Sequence, residues 1–322
     1  MKTAIITQPL MENYGGILQN YALQQVLIDL GHEPVTIDWL PTLELKWYLR
    51  GILRTLFMGI PYRRLLKSRS TLFSGFIEEN IRKTRVVRVY RKGLLRGMDA
   101  VIVGSDQVWR YIYNKHSVRD MFLGFAGGFK GRRIAYAASF GLDYWDVPER
   151  LQSRCVRLAR KFDRISVREE SGIRLCMEHF GMEAVRMPDP IFLLPAEKYL
   201  DLCKDIPKSD EDFMAAYVLD NDPASETQVL QLQESFNLPV RRCSWGAGAT
   251  LTVKEWLGML RDARIVVTDS FHCAVISKLL GKEYRIIENP TRGTARFAQL
   301  EAIPDFTEER ARGREFLKEA LS

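Results

Sequence analysis

A chain of 322 residues, 46% hydrophobic and 27% charged, suits about two globular domains with a sizeable core. Its apolar stretches are strand-sized, which excludes a transmembrane helix, and the opening MKTAIITQPL reads as a first strand rather than a signal peptide. The net charge of +7 is uneven: between Lys46 and Arg96 fourteen Lys/Arg face only Glu78 and Glu79, a local +12, so the remainder sums to −5 and this segment points to an anionic partner surface.

Ala4–Thr7 is a short apolar strand and Gln8–Gly16 a loop ending Asn13-Tyr14-Gly15-Gly16. Ile17–Leu30 follows as a helix, with apolar residues at Leu18, Ala22, Leu23, Val26, Leu27 and Leu30 and with Gly31 closing it; Val35–Asp38 is the next strand. This is a βαβ opening whose Gly15-Gly16 turn aims backbone amides above the sheet edge, with Asn13, Tyr14 and Gln19 as candidate site residues. The spacing is not GxGxxG, and the glycines are equally open to a plain tight-turn reading.

Leu43–Ser70 interleaves Trp47, Tyr48, Leu49, Ile52, Leu53, Leu56 and Phe57 with Lys46, Arg50, Arg54, Arg63, Arg64 and Lys67. It reads as a basic amphipathic hairpin broken at Gly59-Ile60-Pro61. Such a segment can lie on an anionic membrane or simply cover the core with a solvated outer face. No zinc-finger, RNP or helix-turn-helix signature accompanies it, so nucleic acid is not expected as a partner.

Asp99–Gly104 is a buried strand running into Ser105-Asp106-Gln107, and the C-terminal ends of parallel strands are where open α/β sheets bind ligands. Ile134–Gly141 is another strand, Pro148–Phe162 a helix, and Arg164–Val167 a strand that meets Arg168. The planar fork of Arg168 can grip a phosphate or carboxylate, or pair with Glu169 or Glu170. Val185–Pro190 reads as a last strand and turn. The proline-rich Pro188–Asp212 marks the domain boundary, giving an N-terminal domain over 1–190 with a basic insertion at about 43–96, a C-terminal domain over 191–306 and a helix over 307–322.

The alternation then resumes with strands at Phe213–Leu219, Val240–Trp245 and Tyr284–Ile287 and helices at Ala224–Phe236 and Val253–Arg261. Within it, Ile265–Val267 is a strand, Thr268-Asp269-Ser270 a polar turn, and the helix from there to Leu280 is capped by Gly281. His272 stands where that helix begins. Unpaired N–H groups at a helix start attract anions, and an imidazole there can hold an anion or move a proton. The other reading is that Asp269 or Ser270 caps the helix and His272 is a satisfied turn residue. Asn289–Ala302 starts as a loop and turns helical, with Arg292 and Arg296 four apart around Gly293.

Cys155, Cys176, Cys203, Cys243 and Cys273 form no CxxC pair, which indicates reduced thiols and a cytoplasmic location. His32, His116, His179 and His272 form no HxxxH pattern, so no metal site is expected. The fold expected is α/β, with two Rossmann-like parallel-sheet domains facing a cleft. That cleft would gather Gly15-Gly16, Ser105-Asp106-Gln107, Arg168, His272 and Arg296.

The chain resembles the polysaccharide pyruvyl transferase family at these residues. The likeness runs through ENYGGILQNYALQQVL (Glu12–Leu27), VIVGSDQVW (Val101–Trp109), AYAASFG (Ala135–Gly141) and SVREESG (Ser166–Gly172). It continues through PDPIFLL (Pro188–Leu194), VVTDSFH (Val266–His272) and RGTARF (Arg292–Phe297). The resemblance implies a GT-B-like arrangement and transfer of a pyruvyl group from phosphoenolpyruvate to two hydroxyls of a galactose-like sugar, forming a ketal and releasing phosphate. It implies an acceptor that is a cell-surface glycan, such as an exopolysaccharide or capsule, or its lipid-linked precursor, with the segment 46–96 at the inner membrane face. His272 matches the family's active-site histidine and Arg168 its arginine. Relatives often carry Arg-Leu before this histidine, where Ser270-Phe271 stand here; Arg292 or Arg296 are the candidates to replace that arginine. A GT-B-type nucleotide-sugar glycosyltransferase and a non-catalytic glycan-binding relative are the alternatives on the same architecture.

Overall fold

The computed structural model describes residues 1–40, 70–220, 222–287, 297, 300, 301, 303 and 306–322. The expected hairpin over 43–70 and the expected loop–helix carrying Arg292 and Arg296 lie largely outside them. In chain order the elements are β1 (Lys2–Ile6), α1 (Tyr14–Asp29), β2 (Glu33–Thr36), α2 (Thr71–Asn80), β3 (Ala100–Val103), α3 (Val118–Met121), β4 (Arg132–Ala138) and α4 (Glu149–Ala159). There follow β5 (Arg164–Val167), α5 (Glu170–Leu175), β6 (Val185–Arg186), α6 (Ala196–Leu202), β7 (Met214–Tyr217), α7 (Pro223–Phe236) and β8 (Val240–Cys243). The chain ends with α8 (Val253–Asp262), β9 (Ile265–Thr268), α9 (Phe271–Leu279), β10 (Glu283–Ile286) and α10 (Thr307–Leu321).

Two parallel sheets result, one ordered β2-β1-β3-β4-β5-β6 and the other β10-β9-β7-β8. Their strands are short apolar runs because both faces are covered. In β1, Ile5 joins the core on one face while Ala4 and Ile6 join the core on the other. Strand order reverses between β1 and β3 in the first sheet and between β7 and β9 in the second. A crevice opens at the C-terminal ends of strands at such reversals, and both reversals carry the candidate residues.

One core is shared. Ile5, Ala100 and Ile134 of the first sheet and Ala215 and Val266 of the second belong to a single apolar cluster, with α1 between them. Twelve of the sixteen residues of α1 are buried, which explains why it lacks a polar face. It also begins earlier than its pattern suggests. Gly15 and Gly16 lie in the first helical turn rather than in a preceding loop, because the Asn13 side chain caps the helix by accepting the Gly16 N–H at 3.0 Å. α9 ends as expected, with Gly281 at φ +66° just past Leu280.

The chain passes to the second sheet after β6 and returns to the first with α10. There Arg186 pairs with Glu309 at 2.6 Å, Arg312 donates to the Arg186 carbonyl at 3.0 Å, and Phe316 lies 5.9 Å from the Tyr136 ring. Among the described residues no helix is long and apolar enough to cross a membrane.

Candidate active site

The site centres on a carboxylate that sequence reasoning did not single out. Asp189 sits in the Pro188–Pro190 turn after β6, its side chain wholly inaccessible. Its Oδ2 accepts from Ser105 Oγ at 3.1 Å and Arg168 Nη1 at 3.1 Å, and lies 3.3 Å from His272 Nε2. Its Oδ1 accepts the Ile191 N–H at 3.1 Å. Burial alone would push this carboxyl's pKa up. The opposing charge and hydrogen bond of His272, the Arg168 guanidinium and the Ile191 N–H outweigh that, and hold it well below the usual carboxylate range. A buried charge survives only when so completely partnered.

Each partner arrives at the end of a different strand. Ser105 follows β3, and its N–H donates to Gln19 Oε1 at 3.3 Å. Gln19 in turn donates to Thr7 Oγ1 at 3.0 Å, so it braces the strand ends from inside. Arg168 follows β5 and is 4% exposed. Burial disfavours its charge, but Glu169, Asp189 and Asp106 around it raise its pKa and keep it cationic. Arg168 is thus neither a wholly open anion grip nor a surface pair. Nε binds Glu169 Oε1 at 3.1 Å, Nη1 binds Asp189, and Nη2 has no hydrogen bond among the described residues. Glu169 Oε1 also accepts from Ser139 Oγ at 2.6 Å.

His272 comes from the second sheet, in the first turn of α9, with 12% of its side chain exposed. Ser270 caps that helix, its Oγ accepting the Cys273 N–H at 3.4 Å. Asp269 does something else: it accepts the Leu219 and Asp220 N–H groups and ties the end of β9 to that of β7. Phe271, the residue after Ser270, lies against Arg168, its ring centroid 5.5 Å from Arg168 Cζ. The imidazole abuts Gly15. A Cβ on Gly15 would lie 2.5 Å from His272 Cβ and closer still to ring Cγ and Nδ1, so only glycine lets the two domains meet here.

The remaining candidates divide. Asn13 and Gly16 form the cap of α1 beside His272. Tyr14 faces away, fully buried, its hydroxyl donating to the Leu251 carbonyl at 2.7 Å. Asp106, at φ +71°, accepts the N–H of Gln107, and Gln107 Oε1 accepts from Arg110 Nη1 at 2.8 Å. Arg292 and Arg296 lie outside the described residues.

A family model described as polysaccharide pyruvyl transferase matches residues 13–289. The chain belongs to the polysaccharide pyruvyl transferase family. No curated protein matches the sequence. Among solved structures, UDP-GlcNAc 2-epimerase from Neisseria meningitidis bound to UDP-GlcNAc is similar at TM-score 0.53 and 11% identity, over 100% of this chain and 99% of that one. UDP-N-acetylglucosamine 2-epimerase from Rickettsia bellii gives 0.54 and 9%, over 100% and 96%. The Methanocaldococcus jannaschii enzyme gives 0.52 and 12%, over 98% and 92%. Identities this low show the fold alone, and that fold is GT-B-like.

For this pyruvyl transferase family member the missed residues are Asp189 and Glu169. The local signal for Asp189 is that of a turn: an acid between two prolines at a strand end reads as a cap, and Asp189 does cap the turn that follows through the Ile191 N–H.

Proposed function

We propose that this chain transfers the pyruvyl group of phosphoenolpyruvate to two hydroxyls of a galactose-like sugar on a cell-surface glycan or its lipid-linked precursor. The observation that carries the reading is the meeting of His272 with two helix starts, α1 at its Asn13 cap and α9 at its Ser270 cap, beside the spare Nη2 edge of Arg168. Phosphoenolpyruvate bears a phosphate and a carboxylate, and helix-start N–H groups and a guanidinium are suited to both. Its methylene carbon must gain a proton to make C2 electrophilic. The attacking sugar hydroxyl must lose one, and the second hydroxyl then closes the ketal as phosphate departs, its own proton leaving with the phosphate as hydrogen phosphate. His272 can give the first proton and take the second. The scheme balances without a cofactor.

The described part of the basic segment supports work near an anionic membrane at the cytoplasmic face. Arg82, Arg85, Arg91, Lys92 and Arg96 are exposed beside exposed Val86 and Val89. Incubation with phosphoenolpyruvate and galactose-containing glycans should yield acid-labile pyruvate and free phosphate. His272→Ala should cut turnover by about 10²–10⁴-fold. Absence of turnover across a broad acceptor panel, with no phosphoenolpyruvate binding by calorimetry, would overturn the reading. Thermal stabilisation by UDP in its place would indicate a nucleotide-sugar enzyme, and glycan binding without phosphoenolpyruvate consumption a non-catalytic relative.

A further inference from the structure

We propose that Asp189 is a positioning residue for His272: a first-domain carboxylate that holds Nε2, leaves Nδ1 as the working nitrogen, and so readies the second domain's imidazole only while the domains are docked. This rests on the acid–base role proposed for His272.

Both edges of the ring are fixed by the other domain. Asp189 Oδ2 takes the Nε2 edge at 3.3 Å. Gly15 of α1 packs against the Cγ–Nδ1 edge, so closely that a Cβ there would lie 2.4 Å from Nδ1, and it offers that nitrogen no side-chain partner. Nδ1 has no hydrogen bond among the described residues, whereas Nε2 has one. An imidazole whose one nitrogen donates to a buried carboxylate exchanges protons through the other. In the reaction the proton given to the methylene carbon leaves Nδ1, and the proton taken from the sugar hydroxyl arrives there. Nε2–H stays on Asp189, which gains no proton at any stage.

The groups around the pair are consistent with an ionised Asp189. Against Asp189 lie Ser105 from the β3 end and Arg168 from the β5 end, with Glu169 and Asp106 acting on Arg168 in turn; against the imidazole lie Gly15 of α1 and Phe271 of α9. Asp269 is occupied by the Leu219 and Asp220 N–H groups. Neutralising Arg168 does not by itself require Asp189, since Glu169 already pairs with that guanidinium. What Asp189 alone supplies is the link to His272.

The first test needs no substrate, so it can fail or succeed independently of the proposed reaction. Proton and nitrogen NMR of the free protein should show an imidazole N–H shifted downfield and slow to exchange, correlated with Nε2 and missing in His272→Gln. In Asp189→Asn that resonance should move upfield. A protected proton on Nδ1, or a resonance indifferent to Asp189→Asn, overturns the proposal. In turnover assays, Asp189→Asn should lower kcat by about 100-fold while KM for phosphoenolpyruvate stays within about threefold. A variant that merely melts earlier with kcat unchanged would make Asp189 structural only. Should Asp189→Asn not fold, Gly15→Ala is the second variant. It leaves Asp189, Arg168 and Ser105 intact but pushes the ring off Asp189, so the same resonance should be lost; its persistence in Gly15→Ala overturns the proposal.

Discussion

Where Tyr14 lies against Trp256 the two domains meet through aromatic surface; where Asp189 faces His272 they meet through charge. The Tyr14 and Trp256 rings stack 4.9 Å apart at 7°, with Tyr217 edge-on to both and Phe73 4.9 Å from Tyr14. That contact draws its strength from buried area, which is large for aromatic rings and weak in direction. The other contact is the reverse. A buried carboxylate and its partners gain little net energy once desolvation is counted, but they tolerate few geometries. Adjacent residues of one helical turn serve the two contacts, Tyr14 turning to the aromatic side and Gly15 to His272. Adhesion and alignment are thus separated by a single residue step.

Truncating the aromatic contact tests that separation most severely. Trp256→Ala should cost about 3–5 kcal/mol of stability, the usual range for deleting a buried Trp. Urea unfolding measures it. The folded fraction should keep its kcat; a loss of turnover beyond the loss of folded protein would mean that the aromatic contact also sets alignment.

The charged contact should respond to acid instead. A depressed folded-state pKa for Asp189 means its stabilisation is fully present above the ordinary value of about 3.9 and is lost as pH falls below it toward the folded value. Urea midpoints taken from pH 7 down to pH 3 should therefore fall, and fall less steeply in Asp189→Asn. Parallel curves for the two proteins would show that Asp189 is not the group responsible. Smallest should be Tyr14→Phe, which keeps the stack and removes the hydroxyl's bond to the Leu251 carbonyl and the weak one it accepts from the Cys243 thiol, for about 1 kcal/mol. A cost several times larger would make the aromatic contact directional after all.

Much of the fold was legible because strand and helix periods are local. Short apolar runs followed by polar turns locate β1, β3, β5 and β9, and polar residues at their ends locate Ser105, Arg168 and His272. The start of α1 was misplaced for a local reason: two glycines weaken helix propensity, and the compensating Asn13 cap counts only once the backbone is seen. The role of Asp189 was not legible, because it lies 84 residues from Ser105 and 83 from His272 in the chain. Tyr14 misled for the same reason. A tyrosine in a polar loop motif reads as a ligand contact until Trp256, far along the sequence, is found stacked on it.

The return of the chain to the first sheet has a mechanical consequence. One crossing runs from β6 to β7 and the other from β10 to α10, with α10 pinned by Arg186 and Arg312. The second sheet is therefore an insertion fastened to the first at both of its chain ends: Asp189 stands at its outgoing end, just past β6, and Arg186, three residues earlier, grips Glu309 of α10 at its return. One short edge strand with its turn thus carries both the carboxylate that meets His272 and the anchor that receives the returning chain.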